Sequence, residues 1–248
     1  MADLRTILEM RDALRQTEGW QIGADLTRLL RTRRVFAGNR DELERFLSEA
    51  EEIPRALELM AQDNREELHT FLNEVERLLH NFLAAAMTLR DHSRDTSRRL
   101  LPPDDRDELA EAYRQRIDLV FAESPLAQFV EDLRHVALHV RLPALLGRAH
   151  WSRDEGWSSG VVLHRDFLLA RGDWGALAKE YVEEAGEQFA LLDVVRDYSG
   201  QVDEFHDWFR RALVERHRGP LRELEERHGE LLKLWQEATG ESVDTGRV

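Results

Sequence analysis

Cysteine is absent from this 248-residue chain, which excludes disulfides and thiol chemistry. Proline and glycine are sparse, so the usual breakers of long helices are few. Lysine is nearly missing: Lys179 and Lys233 are the only two, and every other strong base is arginine. No apolar run reaches the length of a membrane span. The opening stretch MADLRTILEMRD has no apolar secretory core, so a cytoplasmic protein without membrane attachment is expected. Also missing are a glycine-rich phosphate loop, a Walker motif, a dinucleotide fingerprint and a serine nucleophile elbow.

Leu, Ala, Glu and Arg dominate what remains, and these are strong helix formers. With 34% charged and 42% hydrophobic residues, the chain has the balance of a folded protein rather than a disordered one. The expected fold class is all-α. The formal net charge of −14 argues against DNA as a partner and against general nucleic-acid affinity, which rests on neutralising phosphates. A local arginine patch on an acidic protein remains compatible with RNA.

The pattern divides the chain into an N-terminal helical extension, residues 1–62, and a helical bundle with C-terminal helices, residues 63–248. Helices are expected over 3–18 and 22–32, with Gly19 and Gly23 loosening the connection. Asn39 followed by Glu42 resembles a capping box that opens a helix to about Met60, which Pro54 kinks or splits. Arg28, Arg31, Arg33, Arg34 and Arg40 read either as an anion patch or, in preference, as the solvated edge of a helix end. Asn64 caps the longest helix, to about Leu100, with RDHSRDTSRR as its solvated tail. Asp104 or Asp105 caps the next, to about Phe121. Ser124 and Pro125 then form a cap and first position, and Pro143 ends or kinks that helix. Residues 147–167 lose the helical period and suggest two short strands around a Gly/Ser turn, or an ordered loop. Three more helices follow, over 174–198, 202–217 and 220–239.

The most suggestive stretch is FVEDLRHVALHVRLPALL, Phe129 to Leu146. Leu126, Phe129, Val130, Leu133, Ala137 and Val140 make one apolar stripe. His135 and His139 are four apart and share the opposite face, with Asp132 beside them and Arg134 on the flank. Arg134, His135 and His139 together resemble the Arg-x4-6-His signature of the HEPN superfamily, helical bundles that include many metal-independent ribonucleases of defence and toxin systems. The resemblance rests on that one motif in a helical setting from about Asn64 to Tyr198. It implies an endoribonuclease that needs no metal or cofactor. Arg134 would hold the phosphate, His139 would serve as acid or base, and His135 would orient them. Histidine suits proton transfer near neutral pH, and a fixed cation suits the phosphate.

Asn81 and Thr88 lie on a face of small and polar residues on the longest helix. They are candidates to line a substrate site beside the Arg-His helix, against the simpler reading that they pack. Asp132, His135 and His139 have spacings open to a metal, but Val136 stands where an H-E-x-x-H motif has Glu. A non-catalytic helical interaction or scaffold protein is the competing function. Arg134 and His139 are separated by roughly 140° on an ideal helix, so one helix cannot aim both at one phosphate. A homodimer that brings His139 of one chain near Arg134 of the other is therefore expected, with RNA and a protein partner such as an antitoxin as further partners.

Overall fold

The computed structural model describes residues 4–101, 107–139, 145–153, 156–170 and 173–240, without the side chains of Gln62, Leu138, His139 and Ser152. The element order is α1 (Leu4–Arg15), α2 (Glu18–Glu49), α3 (Ile53–Met60), a 3-10 turn, α4 (Arg65–Leu100), α5 (Glu108–Ile117), a π-helical turn (Asp118–Ala122) and α6 (Pro125–His139). Strands β1 (Leu145–Ser152) and β2 (Gly156–His164) come next. They are followed by α7 (Arg165–Leu169), α8 (Ala176–Glu184), β3 (Gln188–Ala190), α9 (Leu191–Arg216) and α10 (Arg218–Thr239). The fold is a helical bundle with a small sheet inserted between α6 and α9, as the composition and periodicity predict.

Three long helices form the centre. Asp25 meets Arg99, Thr32 meets His92, Phe36 meets Phe82 and Phe46 meets Phe71, so α2 and α4 run antiparallel along their lengths. Arg33 and Arg40 reach Asp203, and Arg196 reaches Glu44, so α9 is antiparallel to α2 as well. It therefore runs parallel to α4. Phe36, Phe82, Phe205 and Phe209 are fully buried between these helices, each contributing about 1.5–3 kcal/mol of burial.

The chain's punctuation acts as expected at several points. Ser124 Oγ accepts from Ala127 N at 3.2 Å and starts α6 behind Pro125. Pro54 splits the second helical segment by opening α3. Asp107, rather than Asp104 or Asp105, caps α5: its side chain accepts from Ala110 N at 2.9 Å, while Asp104 and Asp105 lie outside the described residues, as do Val140 and Pro143. Three expectations change. First, α2 runs unbroken through Asn39, whose amide donates to Val35 O at 2.8 Å inside the helix instead of capping a new one. Second, α9 continues through Ser199 and Gly200, and the break falls earlier, at Gly186 with φ +87°, which a side chain tolerates poorly. Third, Ser93 and Thr96, in the tail read as solvated, are buried at 2% exposure.

β1 and β2 form an antiparallel hairpin in register from Leu145↔Leu163 to Ser152↔Gly156. β3 adds to β2 through Leu163↔Phe189, a pairing too short to show in the sequence pattern. Residues 1–62 share the main core through Ile22, Leu29, Phe36, Leu43, Leu47 and Leu59. Only α1 stands apart, packing Ile7 and Leu14 with Leu231 of α10 in a second small core. Gly19 allows this end to close: a Cβ there would lie 2.2 Å from Pro220 O.

Candidate functional site

α6 buries Leu126, Phe129, Val130, Leu133 and Val136. Phe129 stacks on Trp174 and Tyr181 with ring centroids 5.4 and 5.0 Å apart. This packing fixes which way the polar face points. His135 is exposed, as its place opposite the stripe requires. Arg134 is half-buried, and its Nε is buried with no hydrogen-bond partner among the described residues. His139 is the last residue of α6, and its side chain lies outside those described. Asp132 Oδ2 accepts from Gly175 N at 2.7 Å and ties α6 to the start of α8. This carboxylate is thus engaged in structure, and among the described residues no group of three or more His, Cys, Asp or Glu is placed to hold a metal.

Asn81 is half-buried on α4, while Thr88 is exposed and donates its hydroxyl to Ala84 O at 2.9 Å within its own helix. Neither reaches the cavity that α4 makes with α6. That cavity holds about 100 Å³ and lies between α4, the π-helical turn, α6 and α9. Its α6 wall is Ala127, Gln128 and Glu131. His135 follows Glu131 by one turn, so the histidine face of α6 begins at the cavity rim. Arg90 donates to Glu131 across that rim. At its depth lie Ser93, Tyr198 and His206, each at most 4% exposed. Burial pushes the Tyr198 phenol up, and it holds the His206 imidazole down at about 4, so His206 is neutral at pH 7.

Sequence reasoning missed this cluster. Ser93 sits in a tail dense with charge, and His206 is hidden inside the Phe205–Phe209 aromatic stripe. The one signal was the spacing Leu89, Ser93, Thr96, Leu100, which is helical and buried throughout.

The arginine-rich segment of α2 is largely paired with carboxylates, which leaves Arg31 and Arg34 exposed. Arg33 bonds Asp203 at 2.9 Å and Asp207 at 2.5 Å, Arg40 bonds Asp203 at 2.5 Å, and Arg28 bonds Asp25 at 2.8 Å. It is also no helix end: these residues lie mid-helix, and Arg33 and Arg40 strut α2 to α9. No helix among the described residues is long and apolar enough to cross a membrane. No protein-family model, curated protein or solved structure matches the chain.

Proposed function

We propose that this chain is a HEPN-like helical protein that cleaves RNA without a metal, in a defence or toxin role, using the C-terminal half of α6. The observation that carries this is the state of Arg134. It is a half-buried guanidinium with an unpartnered Nε, on a helix that exposes His135 and also carries His139. Nε itself is sealed from solvent, so a phosphate would meet the terminal nitrogens of this guanidinium, which bind its oxygens with charge-assisted bonds. In the reaction a base removes the 2′-hydroxyl proton, the 2′-oxygen attacks phosphorus, and the 5′-oxygen leaves with a proton from an acid. His139 takes one of the proton-transfer roles, Arg134 holds the phosphate, and His135 orients them. A homodimer through the His135 face supplies the remaining groups from its second copy.

The second reading is a non-catalytic helical interaction or scaffold protein. Its support is the pairing of arginines with carboxylates on α2 and α9, which spends on internal struts the cations that would otherwise attract RNA. One assay separates the two. The purified chain should cleave single-stranded RNA in EDTA, and His139→Ala should abolish cleavage while the helical circular-dichroism signal stays intact. Cleavage that survives in His139→Ala, or that EDTA removes, rejects the ribonuclease; no cleavage of any RNA leaves the scaffold.

A further inference from the structure

The outer edge of the sheet takes no part in either reading. Strand order is β1-β2-β3, so β1 has a neighbour on one side only. Its eight residues pair with β2, and among the described residues its backbone bonds to no other segment's backbone. About half of them therefore point N–H and C=O away from the sheet. Folded proteins blunt such an edge with proline, lysine, a bulge or a cover. β1, LLGRAHWS, has no proline or lysine, and its pairing runs unbroken from Leu145 to Ser152. Ala149, His150 and Trp151 are exposed. We infer that this edge binds an extended segment of a partner protein as a fourth strand, one that alternates apolar and acidic side chains.

The two side-chain rows of β1 dictate that alternation. The even-numbered row carries Arg148 and His150, opposite the small Gly160 and Ser158 of β2. Neither strand of the hairpin holds an Asp or Glu, in a chain that has 49 of them. Arg148 has no ion-pair partner among the described residues. The odd-numbered row is apolar. Gly147 lies against Met60 and Leu68. Trp151 pairs across the hairpin with Trp157, whose indole N–H donates to Ser159 at 3.0 Å, yet Trp151 stays 66% exposed. Ser159 donates to Glu51 O, and Met60 meets Gly147. Ile53 and Leu57, on the same face of α3 as Met60, therefore adjoin this row, at 50 and 56% exposure. An added strand would cover the apolar surface with one row and set carboxylates beside Arg148 and His150 with the other. Its main chain would supply affinity and its side chains specificity.

A second copy of β1 fits the edge worse. A two-fold axis normal to the sheet keeps each row on its own side, so the copy's Arg148 and His150 would meet these. Like charges opposite one another destabilise a strand pair.

The test adds two capped eight-residue peptides in turn to the isotope-labelled full chain, in about 0.15 M salt, where long-range charge effects are screened. One alternates valine and glutamate, the other valine and lysine, and the β1 amide signals report binding by NMR. The glutamate peptide should shift those signals saturably and slow the exchange of amides that are unprotected before it is added. It should bind about tenfold more tightly than the lysine peptide. Arg148→Glu, at a partly exposed position, should reverse that preference, and Trp151→Ala should weaken the glutamate peptide several-fold. Should Arg148→Glu fail to fold, Trp151→Ala and the comparison of the two peptides decide. No shift of β1, equal binding of the peptides, or a preference unchanged in folded Arg148→Glu overturns the assignment. So does full protection of the β1 amides in the chain alone, which would put a second copy on the edge. Tighter binding of octauridylate at β1 overturns it too, and would make the edge an RNA surface.

Discussion

Two glycines in helices answer opposite demands, and single substitutions should separate them. At Gly19 an added methyl would lie 2.2 Å from the backbone oxygen of Pro220 and 2.9 Å from Leu224 Cβ, so α2 and α10 would have to part. Overpacking of this kind costs about 1–3 kcal/mol, more than the roughly 1 kcal/mol alanine returns in helix propensity. At Gly200 nothing lies within 4 Å and the backbone is helical. Gly19→Ala should lower the urea midpoint and Gly200→Ala should raise it; the same sign for both would mean that the α2–α10 contact is not rigid. His206 makes the second case. Burial, aided by Arg33 and opposed by Asp203 and Asp207, holds its imidazole at about 4 against 6.5 when exposed. Between those values the unfolded chain binds more protons than the folded one. Stability should therefore fall as pH drops from 6.5, by roughly 3 kcal/mol once pH passes below 4. His206→Gln should flatten that part of a plot of urea midpoint against pH, and an unchanged slope would assign the acid sensitivity elsewhere.

Elements were legible where period and punctuation agree. For α4 and α6, the apolar stripe, the cap and the flanking proline all point to one helix; α4 forms close to its expected ends, and α6 starts where expected. The hairpin of β1 and β2 was legible as a loss of helical period. The reading failed where local cues oppose a continuous stripe. Ser199-Gly200 looks like a stop, yet Val195, Tyr198, Val202, Phe205 and Phe209 keep one buried face across it, and tertiary packing overrides the weak propensity cost of glycine. Asn39 misled in the same way on α2. The candidate site divides along a similar line. The Arg134–His139 pattern is local in sequence and was seen at once, whereas Ser93 and His206 meet only through the parallel packing of α4 and α9. The orientation of α6 is open to a direct check. Leu133 is 1% exposed and His135 is exposed. Leu133→Ala should cost about 2–5 kcal/mol in chemical denaturation, and His135→Ala less than about 0.5. Equal costs would mean that the helix is rotated from the packing described.

For the whole molecule, the proposed ribonuclease needs two copies. Multi-angle light scattering at micromolar concentration should give twice the 29.0 kDa chain mass, and a charged substitution such as His135→Glu should shift it toward one copy. A monomer, or a dimer indifferent to His135, rejects the shared site. The long-range layout has its own consequence for synthesis. The apolar side of α1 is covered by α10, at the far end of the sequence, and Gly19 waits for Pro220. A ribosome delivers the chain from its N-terminus at about 5–20 residues per second. Ile7, Met10, Leu14 and Trp20 thus emerge at least about ten seconds before the helix that shelters them. During that interval the nascent chain presents an adhesive apolar strip, and the synthesis of α10 doubles as the step that takes it out of reach of chaperones.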